Sequence, residues 1–215
     1  AGKRFDAGAD LVFEQSGKSG FLTLGGLDLR SASGAVVTLS SGEGVRYRLA
    51  DGAITLNGLV STSGGGLPDA AVRLNQRAPF TPVSGDAVLS EYRAGNASLK
   101  LTPVDFTAAP DGATRISTRA TLSGPLGNGR VDGLTVPING YWNGGSRIIV
   151  NRDCVAAGFD RLAISGLVLD PTRLRLCPEG SALLQVTRGG VRGCARIGAP
   201  HLTGHIGGTP LDLSA

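Results

Sequence analysis

Residues 122–177 read LSGPLGNGRVDGLTVPINGYWNGGSRIIVNRDCVAAGFDRLAISGLVLDPTRLRLC, and this stretch decides the fold class. From Phe159 to Leu176 the apolar residues Leu162, Ile164, Leu167, Leu169, Leu174 and Leu176 fall at two-residue steps, interrupted at Ser165-Gly166 and Asp170-Pro171. A period of two gives a strand one apolar and one polar face. Nothing in the stretch has the look of a catalytic group, so its first reading is structural.

Working outward, the same grammar fills the chain. Alternating runs at 10–14, 21–29, 35–40, 45–49, 54–59, 71–74, 98–106, 114–122, 131–138, 147–151, 159–169, 172–176, 182–186, 191–197 and 202–206 predict strands. Turn signals separate them, including Asp51-Gly52, Gly64-Gly65-Gly66, Asn128-Gly129, Gly189-Gly190 and Gly207-Gly208. Thirty-four glycines in 215 residues, alongside so much Val, Ile and Leu, indicate turns rather than disorder. The expected fold is all-β, an antiparallel meander, with one helical candidate from Ser84 as N-cap to Arg93 before Gly95. Residues 1–215 are expected to form one elongated β unit, with 61–68 as the best internal boundary and a long hairpin loop as the duller reading of that segment. Four stretches share an apolar-x-Gly-Leu pattern, 24–27, 56–59, 131–134 and 164–167, which suggests a modular repeat of 32 to 33 residues or the chance recurrence of short motifs in a Gly-rich chain.

The charge is mildly basic, 21 Lys and Arg against 17 Asp and Glu. Many arginines alternate with apolar residues, as in Val45-Arg46-Tyr47-Arg48-Leu49, which places them on the solvated face of strands. Only 5% of residues are aromatic, so the basic-plus-aromatic surface of a nucleic-acid binder is not expected. The chain begins Ala1-Gly2-Lys3-Arg4 and holds no apolar run of membrane-spanning length, and it reads as a piece of a longer protein.

Cys154 and Cys177 stand 23 residues apart and flank segments able to pair, the spacing of a disulfide rather than of a zinc or redox motif. Cys194 is then left as a buried free thiol; three reduced cysteines are the alternative. Motifs that suggest chemistry fail on their neighbours. Gly17-Lys18-Ser19 ends like a phosphate-binding loop, but the required earlier Gly is Val12. His201 and His205 have a metal pair's spacing only on a helix, which Pro200, Gly204, Gly207 and Gly208 oppose. No catalytic residue, cofactor or metal site is expected, and the chain is not read as an enzyme.

The stretch LSGPLGNGRVDGLTVPINGYWNGG, the Cys that follows, FDRLAISGLVLD and LRLCP resemble the YdbH-type proteins of Gram-negative bacteria, in the AsmA-like group of bridge-like intermembrane lipid-transport proteins. PFTPVSG and YRAGNASLKLTPVDF are similar to what precedes that stretch in the family. The resemblance covers 78–213 and rests on degenerate β motifs. It implies a repeating β-groove in the periplasm, a missing inner-membrane anchor, an outer-membrane lipoprotein partner, and phospholipid acyl chains as cargo. Alternation then nominates the groove-lining residues: Leu24, Leu27, Leu29, Val45, Tyr47, Leu49, Ile54, Leu56, Leu99, Leu101, Ile148, Val150, Leu162 and Ile164. The competing readings are an extracellular structural or adhesive β-solenoid or sandwich with a closed core, and, with less in its favour, a carbohydrate-binding sandwich.

Overall fold

A computed structural model describes residues 5–17, 19–198 and 200–214. Lys18 of the Gly17-Lys18-Ser19 motif and the opening residues 1–4 lie outside them. The described residues form strands and turns, with no helix. The chain divides into two compact units, 1–90 with 105–113, and 91–104 with 114–215.

The first unit is an antiparallel meander in sequence order: β1 (Phe5–Ser16), β2 (Ser19–Ser31), β3 (Val36–Arg48), β4 (Ala53–Ser63), β5 (Ala70–Gln76) and β6 (Val83–Leu89). Residues 61–68 lie inside this unit, as the end of β4 and the turn into β5. The segment read as a helix, Ser84–Arg93, is instead β6 followed by the short strand β7 (Tyr92–Ala94). The strand wins because Gly85 must admit a flat neighbour: a Cβ there would sit 2.5 Å from the Phe106 ring and 2.2 Å from the Arg73 carbonyl oxygen. Pairing with β5 in full register then overrides the weak helical preference of the segment.

In the second unit β7 pairs with the start of β8 (Ala97–Ala108), and β9 (Thr114–Leu126) pairs with β10 (Gly129–Trp142). After β10 the strands become composite. β11 (Ile148–Val150), β12 (Val155–Phe159) and β13 (Arg161–Ile164) lie in turn along β10. β14 (Leu167–Leu169), β15 (Thr172–Pro178) and β16 (Leu184–Thr187) return along those three. β17 (Gly190–Arg192), β18 (Ala195–Gly198) and β19 (His201–Ile206) form the next pass, and β20 (Thr209–Ser214) pairs with β19. Two-residue connections at 165–166, 188–189 and 207–208 reverse the chain, with Gly166 at φ 83°, Gly207 at 52° and Gly208 at 90°.

The breaks in the composite strands are held by specific side chains. Asn151, buried and at φ 50°, sits between β11 and β12. Its Oδ1 accepts from the Asn139 amide at 2.7 Å and its Nδ2 donates to the Pro137 carbonyl at 2.8 Å, so these two β10 backbone groups stay paired at the break in the ladder. Gln76 does the same where β5 ends: its Oε1 accepts from the Leu56 amide at 3.0 Å and its Nε2 donates to the Thr81 carbonyl at 2.9 Å.

The Cys154–Cys177 disulfide is present. Val155 faces Leu176 in register, so Cys154 and Cys177 are the next opposed positions, with Cα atoms 4.0 Å apart. Cys194 is free but exposed, not buried, because it lies at the outer side of the last pass. Its thiol donates to Glu179 at 3.0 Å, and that hydrogen bond holds its pKa above the usual thiol value.

Candidate functional site

Residues paired across antiparallel strands share a face, so the register sorts side chains. In the first unit one row across β1, β2, β3 and β4 is Phe13, Leu22, Tyr47 and Ile54, and the next is Leu11, Leu24, Val45 and Leu56. Past the bulge the rows continue as Ala9, Leu27, Leu39, Val60, Val72 and Ala87, and as Ala7, Leu29, Val37, Thr62, Ala70 and Leu89. The opposite face carries Val12, Thr23, Arg46 and Thr55 in one row and Asp28, Thr38, Ser61 and Ala71 in another.

Leu24 and Leu27 are three apart and still share the apolar face because Gly25-Gly26 form a bulge, where the register of β2 shifts against both neighbours. Gly44, opposite on β3, is at φ 70°, and a Cβ there would lie 2.0 Å from the Leu24 carbonyl oxygen. Leu49, just past β3, donates its amide to Gly20 and lays its side chain where a Gly20 Cβ would be.

The second unit repeats the division. A row of Gly124, Val131, Leu162, Leu169, Gly204 and Leu211 runs from β9 to β20. Others are Trp142, Ile148, Val186 and Val191; Gly140, Val150 and Leu184; Val155, Leu176 and Ile197; and Ile164, Leu167 and Ile206. Val131, Phe159 and Leu169 form its buried centre, with Leu134, Leu174, Leu202 and Leu211 packed against them. The other face carries Thr121, Thr135, Gly158 and Arg173 in one row, and Arg115, Tyr141, Ile149, Gln185 and Arg192 in another. Leu99 and Leu101 share one face of β8 with Ala97, whose Cβ lies 2.9 Å from where a Gly124 Cβ would be.

Thirteen of the fourteen nominated residues therefore occupy apolar strand faces, seven in the first unit and six in the second, while Leu49 lies in the turn just past β3. The nomination missed at least ten others: Leu11, Phe13, Leu22, Leu39 and Val60 in the first, and Val131, Leu134, Phe159, Leu169 and Leu174 in the second. The phase of alternation would have found most of them once the bulges were known. Among the described residues no large side chain is fully buried. Leu22 is 39% exposed, Tyr47 37%, Ile54 46% and Ile148 40%, although each is in mid-sheet company.

The apolar-x-Gly-Leu stretches are not equivalent units. At 24–27 and 131–134 they are bulges, at 164–167 a hairpin turn, and at 56–59 continuous strand. His201 and His205 lie on the same side of β19 about 13 Å apart, and His201 Nε2 is 2.7 Å from Asp212 Oδ1. Arg46 stacks over Phe21 at 4.1 Å and reaches Glu14 at 3.5 Å. Among the described residues no group of three His, Cys, Asp or Glu side chains is placed to hold a metal ion. Comparison with known proteins finds no matching family model, curated protein or solved structure.

Proposed function

We propose that the chain is a piece of a periplasmic bridge-like protein that conducts phospholipids between the inner and outer membranes, with acyl chains lying along the apolar sheet faces. The observation that carries the reading is the segregation of the long strands into an apolar face, still substantially exposed, and a polar face that bears arginines on β2, β3, β9 and β10. Each lipid methylene laid on such a face gains up to about 0.8 kcal/mol. Rows of Leu, Val and Ile offer that contact without a headgroup site, which suits passage better than fixed binding. In this reading the sheets curl around the acyl chains as a groove. The disulfide supports an oxidising compartment. The resemblance to YdbH-type proteins supplies the remaining parts of the proposal: an inner-membrane anchor elsewhere in the protein and an outer-membrane lipoprotein at the far end.

The test is direct. Mass spectrometry of an organic extract of purified protein is expected to find co-purified phospholipid. A photoreactive side chain at Ile54 or Ile148 is expected to capture it, and one at Thr55 or Arg175, on the polar faces, is not. No lipid in the extract together with no capture at Ile54 or Ile148 would favour the structural, closed-core reading instead.

A further inference from the structure

Two strand borders carry complementary patterns. β1 is exposed along its whole length, and its register-resolved neighbour is β2 on one side. Its polar side presents Asp6, Asp10 and Glu14, four residues apart and so about 13 Å from one to the next. β17 and β18 are likewise exposed throughout, with register-resolved neighbours β16 and β15 on one side. Arg188, in the turn before β17, Arg192 and Arg196 repeat at the same four-residue interval. Among the described residues none of these three arginines has an ion-pair partner, whereas Glu14 reaches Arg46.

We propose that β1 of one copy of this chain adds, antiparallel, to the β17–β18 border of a second copy. With Asp6 opposite Arg196, Asp10 falls opposite Arg192 and Glu14 opposite Arg188. The same register puts Phe5 opposite Ile197, Ala7 opposite Ala195 and Leu11 opposite Val191, so apolar meets apolar on the other face. Backbone polarity agrees. The two-residue connection pairing Ser16 with Ser19 directs the even-numbered residues of β1 toward β2 and the odd-numbered ones outward. The Glu179 amide donates to the Cys194 carbonyl, so Cys194 and Arg196 point inward and Ala195 and Ile197 outward. Outward residues therefore meet outward residues, and each acid–arginine pair occupies a closely spaced, non-hydrogen-bonded position. The contact is head-to-tail, so each copy can engage two others. It extends both faces whatever the apolar one binds, and so stands apart from the lipid proposal.

This register also sets Gly8 opposite Cys194, and a Cβ at Gly8 meets nothing within 4 Å. Under mild oxidation Gly8→Cys is expected to give a ladder of disulfide-linked oligomers. Ala7→Cys, facing the other side, should give none, and adding Cys194→Ser to Gly8→Cys should abolish the ladder. In sedimentation velocity the wild-type chain should associate with rising concentration, less so in high salt. The triple changes Asp6→Lys, Asp10→Lys, Glu14→Lys and Arg188→Glu, Arg192→Glu, Arg196→Glu should each be monomeric alone and associate when mixed. A wild-type chain that stays monomeric, a Gly8→Cys chain that does not link, or an Ala7→Cys chain that links equally well would overturn the proposal.

Discussion

Asn151 shows how much a single amide can hold. It bridges Asn139 and Pro137 from inside a bulge, in a left-handed backbone conformation that Asn tolerates better than most residues. Asn151→Ala removes both bonds, leaves two ladder groups unpaired in a buried place and keeps the backbone demand. Chemical denaturation is expected to show a loss of about 3 kcal/mol. Thr118 is the opposite case. Its hydroxyl is buried on the apolar face, opposite Ile138, without a partner. Thr118→Val should therefore stabilise the protein, by up to about 1 kcal/mol in the same assay; a clear loss would mean that the hydroxyl has a role in the face. Neither residue stands out in the sequence, because an Asn beside a turn and a Thr in a strand are both ordinary.

The composite strands explain what alternation can and cannot reveal. Within an uninterrupted run, such as Val45 to Arg48 or Ile54 to Leu56, the face of each side chain follows from parity alone, and the register agrees. Across Gly25-Gly26 or Asp132-Gly133 parity reverses, and only pairing with a neighbour shows that Leu24 and Leu27, or Val131 and Leu134, stay together. β1 was legible only at its centre, since Phe5, Ala7 and Ala9 are separated by Asp and Gly that read as loop. Ser84–Arg93 misled because a short segment of mixed polarity has little period of its own, and the strand beside it decides its form. The disulfide belongs at this level too, since it ties β12 to β15 at the end of their ladder. Its reduction is expected to lower stability by roughly 3 kcal/mol on the loop-closure model, read as a downward shift in melting temperature with dithiothreitol and matched by Cys154→Ser/Cys177→Ser. Exposure separates the two kinds of apolar position. Ile54→Asp, nearly half exposed, should cost under about 1 kcal/mol while reducing captured lipid, whereas Phe159→Asp, 7% exposed, should cost several. Equal losses of stability in the two variants would place Ile54 in a sealed core.

The surface of the chain as a whole is large for its mass. A compact monomer of 21.8 kDa exposes roughly 9,300 Å² and its unfolded chain roughly 31,600 Å², against 13586 Å² for the folded protein. Folding thus removes about a fifth less area from water than usual, and the exposed Leu, Ile, Val and Phe of the strand faces account for part of the difference. The consequence is calorimetric. Water ordered around apolar groups in the native state contributes to its heat capacity, so the increment on unfolding should fall below the ordinary 12–15 cal/mol/K per residue. The unfolding curve of the lipid-free protein should accordingly be flatter with temperature, holding its stability over a wider range near its maximum. Occupying the faces with acyl chains should restore the missing increment, so that differential scanning calorimetry of delipidated and lipid-loaded protein gives two distinct baseline steps; identical steps would mean that the native faces are already dry.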